Sequence, residues 1–228
     1  MNKLTFSPSK ENFLSFFYKR LDSVDLSKEF LELNLNIDCE LLFNNVYKRF
    51  ENHAVYKSNE LGFIKIITGH YCQFCLILYE LGKFFFNKQM FDISNKIYFL
   101  NVSQISFDLP FEIDLPINTH IEHPIGSIIS RHTKFNQDKY FCICSNCTIG
   151  GNLDTNGVLI YPKIEGNLVM LNNSSLIGNT TIRGNVLIAN SSYIKDEGIL
   201  KDIMIFGSSP NLIKKDISVK AMKHYFYI

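Results

Sequence analysis

Between Ile164 and Tyr193 the sequence repeats every six residues, reading IEGNLV, MLNNSS, LIGNTT, IRGNVL, IANSSY in successive blocks. Ile164, Met170, Leu176, Ile182, Ile188 and Ile194 hold the first place of each block without a slip. Four places further on stand Leu168, Ser174, Thr180, Val186 and Ser192, all small, β-branched or aliphatic. Between them lie Gly and Asn, as in Gly166-Asn167, Asn172-Asn173, Gly178-Asn179 and Gly184-Asn185. A six-residue period is incompatible with an amphipathic helix, whose apolar positions recur near every 3.6 residues. It fits very short strands joined by corners. The fifth residue of one block and the first of the next are two apart, so both face one side of a strand. Gly and Asn tolerate the left-handed backbone that a tight corner needs. Each block is then one flat side of a coil whose bore is filled by aliphatic side chains, a parallel β-helix.

The same spacing extends upstream with interruptions. Leu109, Leu115 and Ile121 repeat at six, then Ile129 and Phe135, then Ile143 and Ile149. Eight residues separate Ile121 from Ile129 and Phe135 from Ile143, and the run GGNLDTNGVLIYPK before Ile164 is longer than one side needs. Insertions in a solenoid form loops on one face, often the working face. Chemistry is therefore expected in the interrupted half. Residues 1–106 read differently, as a helical domain. Ser7-Pro8 looks like a helix start, with Phe13, Phe16, Phe17 and Leu21 as a stripe. Asp38 is placed to cap a second helix carrying Leu42, Val46 and Phe50, and a third is expected through Ile64, Ile67, Tyr71, Phe74, Leu78 and Leu81. The expected architecture is α+β: a helical domain at 1–106, a β-helix at 107–206 and a C-terminal tail at 207–228.

A formal net charge of +1 gives no reason to expect nucleic acid or an anionic membrane as partner. The N-terminus reaches charged residues before any apolar run, which is not a secretory pattern. The most apolar stretch, near residues 71–86, is broken by Glu80 and Lys83 and is too short for a bilayer. A cytoplasmic protein with reduced thiols is expected. Cys72-x-x-Cys75 and Cys142-x-Cys144-x-x-Cys147 have spacings that thiolate metal sites use. The first pair reads instead as part of a helix. In the second group Cys147 takes an inward repeat position while Cys142 and Cys144 flank inward Ile143, so no metal is expected.

Four short stretches carry a family resemblance: Phe107-Asp108-Leu109-Pro110, Ile121-Glu122-His123, Thr148-Ile149-Gly150-Gly151 and Tyr161-Pro162-Lys163-Ile164. In that order and spacing they resemble the serine acetyltransferases and their hexapeptide-repeat relatives, with Asp108 and His123 fifteen apart. The resemblance implies a left-handed β-helix, trimers or paired trimers, and acetyl-CoA as co-substrate without a metal. It implies that His123 is the general base, removing a hydroxyl proton as the oxygen attacks the thioester, and that Asp108 orients its ring. Glu122 and Tyr161 would contact the acceptor. A backbone N–H near Gly150 and Gly151 would meet the oxyanion. Asn172 and Asn190 match corner positions along the pantetheine channel, and Lys214 and Lys215 are the nearest cations for the CoA phosphates.

The chain departs from the family where serine-specific enzymes have Arg-His before Pro; here Ile160-Tyr161 stands, and Ile160 cannot pair with a carboxylate. An acetyl acceptor with a sugar-like or other small-metabolite hydroxyl is therefore expected, with serine as the alternative. A third reading keeps the trimeric scaffold for protein binding without catalysis. Taken without the resemblance, His123 is a solvated histidine in a Pro-containing loop.

Overall fold

The computed structural model describes residues 4–7, 9–26, 39–51 and 64–226. The chain divides into two compact units, Met1–Ile105 and Ser106–Ile228.

Among its described residues the first unit packs four helices, α1 (Lys10–Asp22), α2 (Cys39–Glu51), α3 (Tyr71–Asn87) and α4 (Phe91–Ile105), with a parallel pair of strands, β1 (Leu4–Ser7) and β2 (Ile64–Ile67). Helix α1 buries Phe13, Phe17 and Leu21, as its stripe predicts. Its cap is Ser9, whose hydroxyl accepts from the Asn12 N–H at 3.2 Å. Ser7 belongs instead to β1, because it pairs with Ile67. Asp38, the expected cap of the second helix, lies outside the described residues, as does Pro8. Val46 and Phe50 of α2 are buried.

The expected third helix is also corrected, since it begins at Tyr71 rather than Ile64. Ile64 and Ile66 point inward from β2 while Lys65 and Ile67 point out, a period of two. Gly69 breaks the run at φ +82°, and His70 caps α3 by accepting from the Gln73 N–H. Buried Gln73 then locks strand to helix: its Oε1 accepts from the Ile67 N–H at 2.8 Å and its Nε2 donates to the Lys65 carbonyl at 2.9 Å. Glu80, expected to break the apolar run, is itself buried and paired with Arg49 of α2. The Arg49 guanidinium also lies over the Tyr79 ring, 5.0 Å from its centre. Among the described residues, no helix is long and apolar enough to cross a membrane.

The second unit is a left-handed parallel β-helix with three faces. Its strands are β3 (Asn118–Ile121), β4 (Ile128–Ile129), β5 (Lys134–Phe135), β6 (Tyr140–Ile143), β7 (Thr148–Gly150), β10 (Lys163–Ile164), β11 (Asn167–Met170), β12 (Ser175–Ile177), β13 (Thr180–Ile188), β14 (Tyr193–Lys195) and β15 (Gly198–Ser208). The register stacks the repeat positions in three columns. Ile121, Ile143, Met170, Ile188 and Ile205 form one. Ile129, Ile149, Leu176 and Ile194 form the second. Phe135, Ile164, Ile182 and Leu200 form the third. All but the half-buried Phe135 are at most 2% exposed, each contributing roughly 1.5–3 kcal/mol of apolar burial.

The extra run before Ile164 forms a hairpin, β8 (Asn152–Leu153) with β9 (Leu159–Ile160). After the coil, β16 (Asn211–Asp216) pairs antiparallel with β15. A short helix, α5 (Val219–Ala221), capped by the Ser218 hydroxyl, runs into a π-helical turn (Met222–Phe226). Phe226 joins Cys142, Val169, Leu187 and Ala189 in a buried cluster on the outer side of the first face.

Candidate active site

The first face carries the site. Parallel pairing sets His120 beside Cys142 and Ile121 beside Ile143, and the Glu122 N–H donates to the Ile143 carbonyl at 2.9 Å. Because alternate residues share a side, His120 and Glu122 stand on the outside of one coil, with Cys142 and Cys144 beside them on the next. One coil further on, the same outward positions hold Val169 and Leu171.

At the end of β3 the chain turns through His123, Pro124, Ile125 and Gly126, the corner that the eight-residue spacing from Ile121 to Ile129 predicts. His123 is exposed and adopts φ +51°. His is one of the few residue types enriched in that region, and the corners of the following coils pass through it at Asn146, Asn173 and Ser191. The corner is tied down by backbone bonds: Ile125 N–H to the His123 carbonyl (2.9 Å), Gly126 N–H to Ser106 (2.8 Å) and Asn146 N–H to Ile125 (2.9 Å). Gly126 suits the corner because its φ is +76°, and a Cβ there would also meet the Asn146 side chain. Asp108, half-buried, bridges in parallel to Ile128; its N–H donates to the Ser127 carbonyl and its own carbonyl accepts from Ile129, both at 2.9 Å. The Asp108 backbone thus runs alongside the segment that leaves the His123 corner.

These elements enclose a pocket of about 320 Å³, at the small end of the range for small-molecule sites. Glu122 and His123 stand at one side, and Tyr140, Cys142, Cys144 and Leu171 form the floor. Asn172 and Asn190, from successive corners, line another side, and His224 and Tyr225 of the terminal helical turn complete it. Asn172 is fixed by accepting from both the N–H and the hydroxyl of Ser145, at 3.2 and 2.9 Å. His120, 4% exposed, has its Nδ1 3.4 Å from the Tyr140 hydroxyl; burial lowers its pKa, against the raising effect of the Glu122 charge. Between the two thiols a mutual hydrogen bond raises Cys142 well above the usual range and lowers Cys144.

Four of the residues expected from sequence therefore meet: Glu122, His123, Asn172 and Asn190. Others lie elsewhere. Tyr161 packs its ring 4.8 Å from that of His132 and against Gly151, where a Cβ would come within 2.7 Å of it. Gly150 ends β7 on a different face. Lys214 binds Glu197 at 3.0 Å, and the Lys215 ammonium lies 5.6 Å from the Phe206 ring centre, both on β16. Sequence reasoning missed Tyr140, Cys142, Cys144, Leu171, His224 and Tyr225 as pocket residues. Counting forward from Glu122 by strand register reaches the cysteines; no periodic signal reaches His224 or Tyr225.

No protein-family model and no curated protein matches the sequence. Solved structures do. The serine acetyltransferase of Brucella abortus superposes with a TM-score of 0.64 at 14% identity, covering 92% of this chain and 84% of that one. The same enzyme in complex with coenzyme A gives 0.63 at 12% identity, with 92% and 83% covered. A serine acetyltransferase in complex with cysteine gives 0.63 at 10% identity, over 87% of this chain and 83% of that one. At these identities the likeness establishes the fold: a helical unit followed by a left-handed β-helix, as the repeats and the resemblance predict.

Proposed function

We propose that the protein is an acetyl-CoA-dependent O-acetyltransferase acting in the cytoplasm on a small hydroxylated acceptor. The observation that carries this reading is the meeting of His123 and Glu122 with the Asn172 and Asn190 corners around one pocket of about 320 Å³. The likeness of its fold to a serine acetyltransferase solved with coenzyme A supports the choice of co-substrate.

In the proposed reaction the acceptor hydroxyl oxygen attacks the thioester carbonyl carbon while the His123 imidazole takes its proton. Asp108 orients that ring and stabilises the imidazolium that forms. Collapse of the tetrahedral intermediate breaks the C–S bond, and His123 returns the proton to the departing sulfur, giving the acetyl ester and free CoA. A backbone N–H near Gly150 and Gly151 is proposed to meet the oxyanion, and Lys214 and Lys215 to meet the CoA phosphates. Tyr161, with Gly150 and Gly151, lies outside the pocket of a single chain, so its proposed contact with acceptor belongs to a trimer whose sites form at subunit junctions. The step itself uses no metal.

Two acceptor classes are separated by observation. Half-buried Ile160 ends the β9 strand with no charge to offer a carboxylate, which favours a sugar-like hydroxyl. The neighbouring structures are serine acetyltransferases, which favours serine. Acetyl transfer measured with serine and with nucleotide sugars decides between them. His123→Ala is expected to reduce turnover on the true acceptor by roughly 10²–10⁴-fold while calorimetric CoA affinity stays within a few-fold. Undiminished turnover in that variant would refute the role of His123. A wild-type chain with no CoA affinity at all would establish the non-catalytic scaffold instead.

A further inference from the structure

The outward positions of the first face show what plain packing uses there. One coil beyond the cysteines they are Val169 and Leu171, and the next coil has Leu187 and Ala189. Phe226 packs on that cluster, which Cys142 also joins. Where the pocket opens, the same two columns change to Cys142 and Cys144, only 5% and 6% exposed. The coil before them supplies Glu122, exposed at the pocket side. The thiols are two apart, Cys142 on β6 and Cys144 just past its end, where the Cys144 N–H still pairs with the Met170 carbonyl at 3.1 Å, so both face outward, and the carboxylate is delivered by the neighbouring coil. Their two Sγ atoms and a carboxylate oxygen lie within 4.8 Å of one another.

We propose that Cys142, Cys144 and Glu122 form a binding site for a borderline-soft divalent metal ion of the zinc class, with a fourth coordination position open to the pocket. Tetrahedral zinc with Zn–S bonds of about 2.3 Å needs donor atoms roughly 3.5–3.8 Å apart, so the triad closes with movements of about an ångström. Two sulfurs and one oxygen select zinc, cadmium or cobalt over magnesium and calcium, which demand oxygen donors. On binding, two sulfur–metal bonds and one oxygen–metal bond form, and the two thiol protons pass to solvent. The charge of the ion is then balanced by two thiolates with one carboxylate in excess. Cys147 is no part of the site, because its thiol faces the bore and lies 3.5 Å from the Ser174 hydroxyl. The site does not depend on the acetyl-transfer reading, and its test does not use activity.

The test titrates Cd²⁺, then Zn²⁺, into the full-length, reduced, metal-stripped protein. Binding is followed by thiolate-to-metal ultraviolet absorbance and by calorimetry. The expected result is one ion per chain, unaffected by excess Mg²⁺. Cys142→Ser and Cys144→Ser each roughly halve the absorbance at saturation and weaken Zn²⁺ binding by roughly 100-fold, while Cys147→Ser leaves both intact. Should a buried serine disturb folding, Glu122→Gln at its exposed position answers alone: the absorbance persists but Zn²⁺ binding weakens roughly tenfold. An absent absorbance band, or Zn²⁺ binding that Glu122→Gln leaves unchanged, would overturn the proposal.

Discussion

Among the described residues of the helical unit, the polar burden of the core includes one pair of charges, Arg49 and Glu80, each 6% exposed and joined across 31 positions of sequence, beside the neutral Gln73, Ser94 and Asn101. In the coil it is divided among small groups one turn apart. The Ser127 hydroxyl donates to the Cys144 carbonyl at 2.7 Å and accepts from the Cys147 N–H at 3.0 Å. The Cys147 thiol lies 3.5 Å from the Ser174 hydroxyl, and the Ser192 hydroxyl lies 3.5 Å from the Ile205 carbonyl. A repeat can place a compatible neighbour one turn above or below a buried polar atom, as at Ser127, Cys147 and Ser174, so none of these groups carries much. A non-repeating core has no such neighbour in waiting and must satisfy a charge with one dedicated partner. The contrast is between a keystone and a ladder, and substitutions on each side test it.

The largest effect is expected at the keystone. Glu80→Ala takes the carboxylate away from the buried Arg49 guanidinium and should cost roughly 3–5 kcal/mol, read as lost amide protection in α2 and α3. The paired replacement Arg49→Met with Glu80→Leu removes both charges and is expected near neutral or stabilising. A loss below about 1 kcal/mol for the single variant would remove the keystone from the description. In the coil, Leu176→Ala opens a cavity between Ile149 and Ile194, its neighbours in the column. The expected cost is about 3 kcal/mol, with amide protection lost mainly in the turns that carry those two residues. Loss spread evenly over every turn would show that the coil does not divide its stability as the register implies.

The coil was legible because one number, six, places the bore residues from Ile164 to Ile194, and the structure buries each of them in a column. Even the site corner was legible as a fault in the count, since the two extra residues between Ile121 and Ile129 are what let His123 stand out from the face. Glu122, Asn172 and Asn190 followed from the same arithmetic joined to the resemblance. The helical unit offered no comparable key. Ile64 and Ile67 fit a helical stripe through Leu81, and the alternation of Ile64 with Ile66 was hidden by a third isoleucine at 67, although Thr68-Gly69 marked the turn. That Glu80 would be buried against Arg49 has no sequence signal, because nothing periodic links the two positions. His224 and Tyr225 reach the pocket for a similar reason: a non-repeating segment folds back on the coil, and only tertiary packing of Phe226 and Met222 says where.

The smallest expected effect bears most directly on the ladder. Ser174 is fully buried, and its hydroxyl is the neighbour of the Cys147 thiol one turn away. Ser174→Ala removes that contact but does not strand the sulfur, which also lies 3.2 Å from the Leu171 carbonyl and 3.5 Å from that of Ser145. The backbone bond from the Thr148 N–H to the Ser174 carbonyl at 3.0 Å survives the change. The cost should therefore be about 1 kcal/mol or less by urea denaturation, the ordinary net worth of one hydrogen bond rather than the penalty of an orphaned group. A double-mutant cycle with Cys147→Ala should return a coupling of about 0.5 kcal/mol, at the lower bound for groups in contact. If Ser174→Ala instead costs as much as Glu80→Ala, the small groups of the coil are not interchangeable rungs. The bore would then hold a keystone of its own at the turn that joins Cys147 to the cysteine pair.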